Sequence, residues 1–293
     1  MNHSLAHTDS YNHHTPQDKP EDVVIATFYH FTDFPDFESK REALLTFCHF
    51  QKLKGTILIA SEGVNATVSG SREGIDALLA HLRADERFST LIHKESVLDY
   101  QPFERMKVRL KKEIVGMGVA GVNSAAVTGH HVPPQEWDAL ITQPGMLLVD
   151  TRNDYEVEMG SFEGAINPHT NSFREFPAWC EANLDIHRDK KVAMFCTGGV
   201  RCEKASSYLV EQGFEVFQLD GGILNYFEKT KNASNKWHGD CFVFDERVAV
   251  TPDLKPSNAT ICPSCNTPFT SDEIKLGSCE YGVKCSQCLH DGK

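Results

Sequence analysis

At 293 residues and 40% hydrophobic content, the chain is long enough for two packed domains and a small third element. Its apolar runs, such as VVIATF at 23–28 and MLLVD at 146–150, fall far short of the roughly 20 residues that cross a bilayer, which argues against a transmembrane segment. A net charge of −12 excludes a generally basic, nucleic-acid-coating surface, so any RNA site has to be local.

In chain order, residues 1–21 are polar, contain Pro16, Pro20 and histidines 3, 7, 13 and 14, and read as a flexible tail. They lack a basic start followed by an apolar stretch, so the expected compartment is the cytoplasm. There, the ten cysteines serve metal binding or thiol chemistry rather than disulfides.

Residues 22–125 form the first expected domain. VVIATFYHF is a strand, 38–53 a helix, GTILIA a strand that turns through SEGV into NATVSG, and 71–83 a second helix. A strand near 90–97 and a last strand through RMKVRLKKEIV complete a β-α-β-β-α-β order, the ferredoxin-like split unit. Along that last strand Arg105, Lys107, Arg109 and Lys111 recur at a spacing of two, which points all four to one face while Met106, Val108 and Leu110 pack on the other. Such a basic stripe suits RNA phosphates, with Lys52 and Lys54 as additions; the bland reading is a solvated strand face.

Residues 126–235 form the second expected domain, in which PPQEWDALI is a helix, MLLVD a buried strand, and the alternation continues as parallel-sheet α/β structure. Within it, KVAMFCTGGVRCEKASSYLVEQG is a strand, a glycine-bearing loop and an amphipathic helix, which sets Cys196 at a strand-to-helix junction. The unpaired amides and dipole of a helix start favour an anion and lower a thiol's pKa. Gly198 and Gly199 let the backbone curl its amides inward, with Thr197 and Val200 completing the loop, and Arg201 adds a fixed positive charge. Only four residues separate Cys196 from Arg201, one fewer than in cysteine phosphatases, so the cradle suits a small group rather than a phosphate. Cys202, in the first helical turn, is placed either to resolve an oxidised or persulfidated Cys196 or simply to pack.

Residues 236–293 are rich in cysteine and turn residues. CPSC at 262–265 and CSQC at 285–288 are two C-x-x-C knuckles 19 residues apart, the spacing of a four-thiolate structural zinc site formed by Cys262, Cys265, Cys285 and Cys288, with Cys279 left outside the shell. No flavin, haem or nicotinamide motif is visible.

Three motifs in order, LLVDTRNDYEVEMGSFEGAIN with Asp150, Arg152, Glu156, Gly160, Gly164 and Ala165, the 196–201 loop, and LDGGILNY at 219–226, resemble the rhodanese superfamily. Arg152 and Glu156 are expected to make polar contacts beneath the loop. With SEGVNATVSGS at 61–71, PFERMKVRLKKEIVGMG at 102–118, FCTGGVRCEKAS at 195–206 and the cysteine-rich end, the chain resembles over residues 22–290 the bacterial tRNA uridine hydroxylases with a central rhodanese domain. That resemblance implies an acylphosphatase-like first domain, dioxygen as co-substrate, tRNA as partner, and conversion of the wobble uridine to 5-hydroxyuridine with Cys196 as the essential thiol. The loop alone leaves two alternatives: a sulfurtransferase carrying a Cys196 persulfide, and a non-catalytic RNA-binding scaffold.

Overall fold

A computed structural model describes residues 22–185, 191–231, 236–269 and 288. The first unit is a five-stranded sheet with two helices on one face: β1 (Val23–Phe31), α1 (Phe37–Phe50), β2 (Lys54–Ala60), β3 (Gly63–Gly70), α2 (Arg72–Arg83), β4 (His93–Leu98) and β5 (Met106–Leu110), in the sheet order β4-β1-β3-β2-β5. The first four strands are antiparallel and complete the split β-α-β-β-α-β unit, while β5 joins parallel to β2 at the far edge. Alternation decides the faces: Ala26, Phe28, Ile57, Ile59, Ala66, Val68, Met106 and Val108 bury against Ile75, Leu78 and Leu44 of the helices. At the tight β2–β3 turn Gly63 has a φ of 134°, and a Cβ there would lie 2.0 Å from the His30 carbonyl oxygen, so only glycine closes this hairpin.

The expectation of one strand running through RMKVRLKKEIV is corrected: β5 ends at Leu110, which is 42% exposed rather than packed. Its partner has run out there, because Leu110 pairs with Ile59 next to the end of β2, and only the Lys111 amide still donates to the Ile59 carbonyl. The chain then leaves the sheet, where Ile114 is held by Asn65, which donates to its carbonyl, and by Glu62, which accepts from its amide.

The second unit contains β6 (His130–Val132), α3 (Pro134–Ile141), β7 (Met146–Asp150), α4 (Asp154–Val157), β8 (Gly160–Phe162), α5 (Phe176–Asn183), β9 (Lys191–Phe195), α6 (Val200–Glu211), β10 (Glu215–Leu219) and α7 (Gly222–Lys229). Its parallel sheet has the order β6-β10-β9-β7 and is covered on both faces. Val192 and Met194 point to the layer of α5 and α6, and Ala193 and Phe195 to that of α3 and α7. Short strands follow: β11 (Trp237–Gly239), β12 (Cys241–Phe242), β13 (Ala249–Val250), β14 (Thr260–Ile261) and β15 (Pro268–Phe269). Strand β11 pairs with β8, and Trp237, Cys241, Val243 and Val250 enter the same core as Phe195 and Ile223. Packing therefore continues past residue 236, where the cysteine-rich segment was expected to begin. The expected tail, 1–21, lies outside the described residues, as do Cys279 and Cys285.

Candidate active site

Cys196 stands where the sequence pattern puts it, one residue past β9 and four before Val200 opens α6. It is 1% exposed, and its Sγ accepts from the Gly199 amide at 3.1 Å, a geometry that Gly199 reaches with a φ of 103°. Burial by itself raises the thiol's pKa. A hydrogen bond donated by the Cys202 thiol, the charge of Arg201 and the amides of Cys202 and Arg201 outweigh it and hold Cys196 well below the ordinary thiol value. Cys202 is 0% exposed, and burial together with its thiolate neighbour pushes its own pKa far up. Its thiol donates toward Cys196 and meets the Thr151 hydroxyl on its other side at 3.6 Å.

Arg201 does not reach out toward a ligand. Its guanidinium is clamped in a two-pronged pair by Glu156, Nη1 to Oε2 at 2.6 Å and Nη2 to Oε1 at 2.8 Å, and Thr197 donates to the same carboxylate at 3.4 Å. Burial raises the pKa of Glu156, but Arg201 prevails and lowers it. Below lies Arg152, which bonds Asp150 at 2.6 Å and donates to the Glu156 and Gly160 carbonyls, so the expected polar support is a continuous buried network. Gly198 and Val200 are half-buried at the loop surface.

Over this loop lies the helix-free face of the first sheet. Strand register aligns Lys94, Thr27, Thr67, Thr56 and Lys107 in one row across β4, β1, β3, β2 and β5, with Tyr29, Asn65, Leu58 and Arg109 in the next. Lys94 donates to the Gly221 carbonyl and, at 3.5 Å, to that of Gly198; burial drives its pKa down to about 8, against the pull of the Cys196 charge. Tyr29 donates to Glu203 of α6 at 3.0 Å. The Lys204 ammonium, 2% exposed, is shared between Glu62 at 2.9 Å and Glu113 at 2.6 Å. Sequence spacing gave no sign of these contacts, because each joins residues more than ninety positions apart.

Between the two units is a cavity of about 710 Å³, a volume in the range of small-ligand sites, lined by Cys196, Thr197, Gly198 and Arg201 on one side and by Thr27, Thr56, Asn65 and Thr67 on the other. Lys111 and Lys112 stand at its wall. Arg105, Lys107 and Arg109 lie outside it, along the edge strand. Arg105, Arg109 and Lys111 are exposed and Lys107 half-buried, and no side-chain hydrogen bond or ion pair holds any of the four among the described residues. Lys52 occupies the turn before β2, and Lys54 opens that strand.

At the far end, Cys262, Cys265 and Cys288 bring their sulfurs within 4.8 Å of one another, with 4.0 Å between those of Cys262 and Cys288. That is too long for a disulfide and near the roughly 3.8 Å edge of a tetrahedron with metal–sulfur bonds of about 2.3 Å. Three soft donors so arranged fit a thiophilic metal ion. The fourth expected ligand, Cys285, is not among the described residues.

Two family models match the chain: an acylphosphatase-like domain (UPF0176) over residues 23–114 and a rhodanese-like domain over residues 133–229. A protein of Sinorhizobium medicae described as tRNA uridine(34) hydroxylase is 49% identical over 273 residues, which span 93% of this chain and 86% of the relative. Among solved structures, a rhodanese-related protein of Thermoplasma volcanium is 25% identical with a TM-score of 0.30, covering 34% of this chain and 92% of its own. A rhodanese-like domain protein of Staphylococcus aureus is 22% identical with a TM-score of 0.28, covering 33% of this chain and 90% of its own.

Proposed function

From a chain that belongs to the tRNA uridine(34) hydroxylase family, we infer an enzyme that hydroxylates uridine 34 of tRNA to 5-hydroxyuridine, with dioxygen as co-substrate and the Cys196 thiolate as its essential reactive group. The observation that carries this reading is the position of Cys196: a thiolate on the wall of a nucleoside-sized cavity between two domains. Because Cys196 is buried in a loop fixed by Glu156, Arg201 and Cys202, the thiol does not travel to the RNA. The uridine has to leave its stack and enter the cavity, as in other enzymes that act on a single base. Loss of 5-hydroxyuridine derivatives from tRNA in cells lacking this protein, restored by the wild-type chain and reduced more than roughly a thousandfold with Cys196→Ala, is the expected result by mass analysis of digested tRNA. Restoration by Cys196→Ala would reduce the protein to an RNA-binding scaffold, and intact modification without the protein or a redundant pathway would refute the activity.

Arg105, Lys107, Arg109 and Lys111 carry the anticodon-arm phosphates in this reading, supported by their run along the edge strand up to the cavity wall at Lys111 and Lys112. A tRNA substrate sets the enzyme in the cytoplasm. No helix among the described residues is long and apolar enough to cross a membrane. The metal is zinc in a structural role, since an all-thiolate shell leaves no open position for substrate. Elemental analysis of the purified protein is expected to return one zinc per chain, and its absence from folded, active enzyme would remove the assignment.

A further inference from the structure

Among the aromatic side chains lining the cavity, Phe244 is the most exposed. Its neighbours Phe242 and Val243 are buried, yet Phe244 is 59% exposed between β12 and β13. Its ring stands edge-on to Phe242 at 5.1 Å and 85°, and the Arg201 guanidinium lies over it, 5.9 Å from the ring centroid. An exposed aromatic ring that lines a cavity beside an arginine guanidinium is the kind of feature that proteins use to stack an unpaired base, whose π-face it matches. The same cavity holds Cys196, so the base on such a platform is the one presented to the thiolate. Resting on the uridine hydroxylation inferred above, we propose that Phe244 is the stacking platform for the uracil ring of the modified nucleotide. The segment after the second domain thereby contributes to substrate positioning.

The test compares wild type, Phe244→Ala and Phe244→Tyr on an anticodon stem-loop RNA carrying uridine at position 34, with thermal melting of each protein as a folding control. Phe244→Ala is expected to raise KM by roughly tenfold or more, with kcat within a few-fold and the melting temperature unchanged, while Phe244→Tyr retains wild-type KM. A KM unchanged in Phe244→Ala overturns the proposal. So does a fall in kcat alone, which would make Phe244 a prop for Arg201. Failure of the wild-type enzyme to hydroxylate the RNA would instead strike the underlying reading.

Discussion

The Cys196 loop and the edge strand β5 with its flanking residues each concentrate charged side chains, and they are built in opposite ways. In the loop each charged group has a fixed partner: Glu156 grips Arg201 in two short bonds, Asp150 grips Arg152, and Cys196 takes donors from Cys202 and Gly199. Along β5 the cations of Arg105, Lys107, Arg109 and Lys111 have no such partner among the described residues. The difference fits the two kinds of work proposed for them. A reactive thiolate gains from dipoles and charges that are already oriented before the substrate arrives. Contact with an RNA backbone comes from counterion release and tolerates mobile, hydrated side chains.

The comparison breaks most severely at Glu156. Glu156→Ala strands Arg201 as a buried, uncompensated charge and is expected to destabilise the fold by about 3–5 kcal/mol in urea denaturation. A loss below about 1 kcal/mol would show that the loop is not organised by this pair.

A smaller and more local change follows from Cys202→Ala, which removes a donor to the thiolate. Because the folded-state pKa of Cys196 is depressed, its ionisation stabilises the protein at pH values above the unfolded thiol pKa of about 8.5, and that contribution fades as pH falls through the lower folded value. Losing the donor raises the folded value, so the acid limb of both activity and Cys196 alkylation moves to higher pH. An unmoved alkylation profile would assign the depression to Arg201 and the loop amides alone.

The smallest effect belongs to the strand. Lys107→Ala with Arg109→Ala is expected to leave stability within about 0.5 kcal/mol. The same pair lowers the slope of log affinity for tRNA against log salt by roughly two. An unchanged slope would return the stripe to a solvated strand face.

Cys196, Arg201 and the expectation that Glu156 supports them were legible because strand, loop and helix signals are local and the rhodanese motifs keep their order. The alternation through Met106, Lys107 and Val108 was legible too, but the end of β5 was not, since it depends on where β2 stops pairing. Lys94, Tyr29 and Phe244 carried no mark in the sequence. Their roles exist only once the first sheet, the reactive loop and the β12–β13 connection surround one cavity, and a one-dimensional pattern does not encode that meeting.

The ion cluster of Lys204 with Glu62 and Glu113 has a mechanical consequence. Prising the two units apart would break both of these ion pairs together with the Lys94 and Tyr29 hydrogen bonds, so this seam opposes a hinge motion. With a stiff receptacle, the motion needed for reaction falls to the nucleic acid. In the proposed reaction, uridines are then sorted by how readily each swings out of its own strand, and the suppleness of an RNA loop becomes part of what the protein reads.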